Sequence, residues 1–205
     1  MNRFLVPALC LAASSAFAQD LGDCGNPFVN GYGPFDYRTA PPEARTNVET
    51  NHFTPAVESL RGAMTGSIGG DIDYTLRAFP NHPRALMAMI RLGQQQKALV
   101  PKGAHFTVDC YIERAIAFQP DDPTVREIRG IYLSMNGKYA QAAKDFEAVV
   151  AAKPDSGNAH YNLGLAYFEL REYDKARAEA KRARELKFPL DGLTKKLKAA
   201  GEWDG

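Results

Sequence analysis

The chain has 205 residues, with 25 Lys and Arg against 24 Asp and Glu and a hydrophobic share of 45%. That length and apolar content suit one domain with a core of its own. A net charge of +1 lacks the concentrated positive field that a nucleic-acid partner requires, so that class is set aside.

Met1 to Ala18 reads as a leader. Arg3 gives one early positive charge, Phe4 to Ala13 an apolar run, and Ala16-Phe17-Ala18 the small-x-small pattern after which a signal peptidase cuts. The run is too short to cross a bilayer, which takes roughly 20 residues, and no later stretch is long and apolar enough. Leu9 before Cys10 is bulky where a lipid-anchor site wants a small residue. Cleavage before Gln19 leaves a chain with as many acidic as basic residues and two cysteines, Cys24 and Cys110. A periplasmic or secreted product is expected. Two thiols in an oxidising compartment predict a Cys24–Cys110 disulfide that staples the N-terminal segment to the body. Nothing resembles the C-x-x-C spacing of a redox-active pair.

Residues 19–50 read as an irregular arm, punctuated by Gly, Pro and Asn. Phe28, Tyr32, Phe35 and Tyr37 make a merely solvated tail a poor description, because disordered segments lack aromatics. Either the rings pack on helices behind them or they present a ligand surface. A short helical segment follows over 51–80: Thr54 and Pro55 open a first helix with Val57, Leu60 and Met64 on one face. Gly62 and the run Gly66 to Gly70 end that helix, and Asp71 restarts a turn that Pro80 stops. Asn81-His82-Pro83 opens a stronger helix with Leu86, Met89 and Ile90 in its stripe, running to about Gln96. After a polar loop, Thr107 caps a helix carrying Val108, Ile112, Ala115 and Ile116.

From Asp121 onward the pattern is regular. Helices start at Pro123, Tyr139, Gly157 and Tyr173, and matching features recur at one constant step: Gly130 with Gly164, Tyr139 with Tyr173, Ala142 with Ala176, Pro120 with Pro154. This resembles the tetratricopeptide repeat, a helix-turn-helix unit of about 34 residues. The units at 123–156 and 157–190 match well. An upstream unit at about 83–120 is degenerate, with an insertion at 97–105. Arg129 departs from the pattern, standing where the family favours a large apolar residue. Gly130, Tyr139, Ala142, Pro154, Gly164, Tyr173 and Ala176 are the structural positions. Segment 191–203 reads as a capping helix with Leu190, Leu193 and Leu197 inward. The expected architecture is therefore an all-α, short repeat solenoid with an arm before it and a cap after it.

The resemblance implies a non-catalytic protein that binds a protein or peptide in the concave groove lined by the first helix of each unit. Carried over by register, the groove positions are Glu127, Ile131, Ser134, Asn158, Tyr161, Asn162, Leu165 and Phe168, flanked by Thr124, Met135 and Glu169. This face carries no lysine or arginine, which disfavours capture of a terminal carboxylate. Tyr161, Leu165 and Phe168 fall on one helical face and could instead pack inside the molecule. The residues imply no cofactor. One cluster keeps a metal-binding or hydrolytic alternative open: His52, Asp71, Asp73 and His82, all outside the clear repeats. Self-assembly into a homo-oligomer, with the groove filled from within, is the other alternative.

Overall fold

The computed structural model describes residues 21–204, so the leader and its cleavage site lie outside the described residues. Among the described residues the chain forms ten α-helices and no strand. They are α1 (Pro42–His52), α2 (Pro55–Glu58), α3 (Ile68–Ala78), α4 (Pro83–Gln96) and α5 (Val108–Phe118), then α6 (Pro123–Met135), α7 (Tyr139–Ala152), α8 (Gly157–Glu169), α9 (Tyr173–Glu185) and α10 (Gly192–Ala199). None is long and apolar enough to cross a membrane. The protein is an all-α solenoid.

Short polar side chains start four of these helices by occupying amides that have no partner within the first turn. Thr107 accepts from the Cys110 amide, Asp122 from that of Thr124 and Ser156 from that of Ala159. Proline stands in the first turn of α1, α2, α4 and α6, where its missing N–H costs nothing. α6 pairs with α7, α8 pairs with α9, and α7 packs on α8. Upstream, α1 pairs with α3, α3 with α4, and both α4 and α5 rest on α6.

The upstream half corrects the sequence reading in three places. The arm is not irregular to residue 50, because α1 begins at Pro42 and buries only Ala44 and Val48. The helix opened by Thr54 is a single turn, and Met64 stands half exposed outside it. The glycine run does not precede α3 but lies partly within it: Ser67 caps that helix by accepting from the Gly70 amide, so Asp71 is not the cap. Gly69 is needed for a different reason. A Cβ there would come within 2.3 Å of the Lys102 carbonyl oxygen, so the glycine lets the α4–α5 loop press against α3.

Three apolar clusters hold the stack. The first gathers Ile72, Leu76, Leu86, Met89, Ile90, Tyr111 and Ile112 between α3, α4 and α5. A second joins Ala142, Phe146, Leu163, Ala176 and Ala180 to Leu193 and Leu197 of α10. The third lies under the arm, where Phe35 and Tyr37 pack on Phe79 with ring centroids 5.7 and 5.9 Å away. The disulfide Cys24–Cys110 ties the start of the arm to α5, with Cα atoms 5.0 Å apart.

Gly130 and Gly164 show how the last unit is closed. A Cβ on Gly130 would meet the Phe146 ring at 2.6 Å. The counterpart of Phe146 in the next unit is Ala180, which leaves room over Gly164. Leu193 of α10 fills it: a Cβ on Gly164 would fall 2.4 Å from the Leu193 Cδ2. Leu190, expected inward, is instead 57% exposed. Gly164→Val should therefore cost about 1–3 kcal/mol by overpacking and loosen α10. Trp203, the single tryptophan, packs against this core. Its emission should shift to the red in that variant, and an unchanged spectrum would mean that α10 does not rest on Gly164.

Candidate functional site

α4 and α6 each present one face to a cleft of about 380 Å³ that is open to solvent, and α8 adds Asn158 at its edge. Its floor is apolar, formed by Met87, Ile128 and Ile131. Arg84 and Arg91 line it from α4, Glu58 from α2, Thr124 and Glu127 from α6, and Asn158 from α8. The lining residues follow one register. Arg84, Met87 and Arg91 of α4 are spaced as Thr124, Glu127 and Ile131 of α6 are, and α8 carries the same pattern one repeat further on. Spacings of three and four place such side chains on one helical face.

Of the groove positions read from the sequence, the structure brings Glu127, Ile131 and Asn158 together in this cleft. Asn158 donates through Nδ2 to Glu127 Oε1. Tyr161 and Phe168 face elsewhere. The Tyr161 ring sits 5.1 Å from that of Phe188, and Phe168 lies 5.5 Å from Tyr173 with the Lys196 ammonium 5.1 Å above it. Leu165 also packs against the second core. Ser134, Asn162, Met135 and Glu169 are not among the cleft residues; Glu169 accepts from Lys196 at 2.7 Å. In this half, α10 covers the surface that the sequence assigns to a ligand.

α4 supplies what the sequence reading missed. The face has two arginines after all, because the step between α4 and α6 is longer than the repeat and hides the register that links them. Arg84 is held by two carboxylates, Glu49 at 3.0 Å and Glu58 at 2.9 Å. Arg91 donates to the Glu58 carbonyl at 2.9 Å and forms no ion pair among the described residues.

Residues 129–187 match the family model of the tetratricopeptide repeat. That match runs from the middle of α6 to just past α9. No curated protein matches the chain. Between α6 and α7, an ion pair with a buried carboxylate stands at the departure noted above: Arg129 reaches Asp145 with two bonds, of 2.7 and 2.6 Å. A planar guanidinium met by a carboxylate in this two-bonded way fills the position that the repeat gives to an apolar side chain.

The His/Asp cluster separates. Residues two apart on a helix point about 200° from each other, so Asp71 and Asp73 of α3 serve opposite sides. Asp71 accepts from the Met64 amide at 2.6 Å and from the Thr65 hydroxyl at 2.5 Å, with His52 Nδ1 3.3 Å away. Burial alone would raise its carboxyl, but the bonds from Thr65 and Met64 hold it below the ordinary range. Asp73 meets Arg77 at 2.9 Å, His105 Nδ1 at 2.8 Å and the Tyr111 hydroxyl. His82 turns to Glu49, 3.2 Å away. Among the described residues no group of three or more His, Cys, Asp or Glu could hold a metal ion.

Proposed function

We propose that the protein is a non-catalytic adaptor of the cell envelope that binds a peptide or protein segment in the cleft between α4, α6 and α8. The observation that carries this reading is an apolar floor left open between polar walls on the first helices of successive repeats. Extended or helical segments dock on such surfaces by burying a few apolar anchors. Tetratricopeptide repeats generally mediate protein–protein contact, which agrees with the match. Export to the periplasm rests on the leader pattern, and the disulfide is compatible with it.

A photoreactive amino acid placed at Ile131 or Met87 tests the proposal. In the native envelope, irradiation should give discrete adducts with another protein at these positions. The same residue at Lys144, on the outer helix α7, should give none. Equal labelling at all three sites, or none at Ile131 and Met87, would overturn the assignment.

A further inference from the structure

The cleft is polarised, and the polarity specifies what kind of segment it takes. Arg91 on the α4 side has no carboxylate partner among the described residues, and its guanidinium is exposed. Glu127 on the α6 side has no cationic partner among them; only the neutral amide of Asn158 touches its carboxylate. Arg84 between them is shared by Glu58 and by Glu49 of α1. One guanidinium and one carboxylate of the lining, Arg91 and Glu127, therefore stand without an ion pair among the described residues, on opposite sides of the apolar floor made by Met87, Ile128 and Ile131.

Resting on the binding cleft described above, we propose that the occupant is a protein segment with an apolar residue flanked, two positions away on either side, by one acidic and one basic residue. The spacing follows from the helices. In the shared register Glu127 is the counterpart of Met87, and Arg91 lies four residues farther along α4, about 6 Å at the helical rise. Neighbouring helices are about 9 Å apart, so the two charges are separated by about 11 Å. In an extended chain, residues i, i+2 and i+4 point to the same side, and i to i+4 spans about 13 Å. The central residue then meets the floor while the acidic one reaches Arg91 and the basic one Glu127. A segment with two acids would place a like charge against Glu127, and one with two bases would do so against Arg91.

The test uses the full mature chain, immobilised, and a displayed library of short linear peptides. Leucine is fixed at the centre, positions two before and two after it are randomised, and alanine and serine fill the rest. The wild type should retain peptides with Asp or Glu at one variable position and Lys or Arg at the other. Arg91→Glu should replace the acidic preference with a basic one, and Glu127→Lys should do the converse. Each reversal should weaken the best wild-type peptide by about threefold to fivefold, as exposed ion pairs do. Both side chains are at the surface, so the melting temperature of each variant should stay within a few degrees of the wild type. Retention of leucine peptides without a charge preference, or a preference that neither reversal moves, overturns the charge assignment and leaves the apolar cleft standing. No retention of any peptide by the wild type overturns both.

Discussion

Replacing Cys24 and Cys110 with serine should destabilise the chain by about 4–5 kcal/mol, the cost of releasing a closed loop of 86 residues in the unfolded state. The loss has a folded-state component too. Arg114 is buried, donates from Nη1 to the Cys24 carbonyl at 2.8 Å, and stacks over Phe106 at 4.7 Å, while its Nε has no hydrogen-bond partner among the described residues. Once the arm is free to lift, that guanidinium loses the acceptor that makes its burial tolerable. For a domain of this size the melting temperature should fall by about 10–15 °C. Circular dichroism of the two forms measures it. A fall of less than about 2 °C, well short of that scale, would show that the aromatic contacts of the arm suffice without the bond.

Stability should decline by about 3 kcal/mol as the pH drops from 7 to 4, through His82 alone. Burial is the main cause: it holds the folded imidazole at about 4 against an ordinary 6.5, with Glu49 opposing the shift and Arg84 adding to it. The hydrogen bonds fix which nitrogen carries the proton. Nδ1 accepts from the Ala85 amide and so caps α4, leaving Nε2–H to donate to Glu49. The unfolded chain takes up a proton near 6.5 and the folded chain resists until about 4. This contribution is therefore complete above 6.5 and is lost as the pH falls towards 4. Denaturant titrations at several pH values check it against His82→Asn, which can keep the cap and does not titrate. The stability difference between wild type and variant should shrink by about 3 kcal/mol across that window. A constant difference would show that His82 does not titrate out of burial.

The second half of the fold is legible in the sequence because its signals are local and repeated. Gly130 with Gly164 and Tyr139 with Tyr173 place α6 to α9, and the proline and glycine punctuation gives their ends. α1 is hidden because only Ala44 and Val48 of its residues are buried. It is held in place by long-range partners instead: the Glu49 carboxylate accepts from Tyr37 at 2.8 Å and from Arg84 at 3.0 Å. Pro42 followed by Glu43 is the one start signal it offers. The candidate cleft is half legible. Glu127, Ile131 and Asn158 follow from the repeat register, whereas Arg84, Met87 and Arg91 are displaced from it by the insertion that the α4–α5 loop holds against Gly69. Tyr161 and Phe168 have the right spacing for a groove, but spacing along one helix carries no information about a later segment such as α10 that returns to cover it.

Behind the cleft, one short stretch of the arm spans the turns that launch two of its three helices. The Asn81 side-chain amide donates to Asp36 at 2.7 Å and to Asp122 at 3.2 Å, while its carbonyl oxygen accepts from the Tyr37 amide at 2.9 Å. Arg38 lies beside them, donating to Gln119 at 2.9 Å. α4 and α6 are thus clamped at their roots, and the gap between them is set from the rear before any visitor arrives. A receptor of fixed gauge spends little conformational entropy on closing around its guest, so selectivity here falls to shape and charge rather than to a change of form.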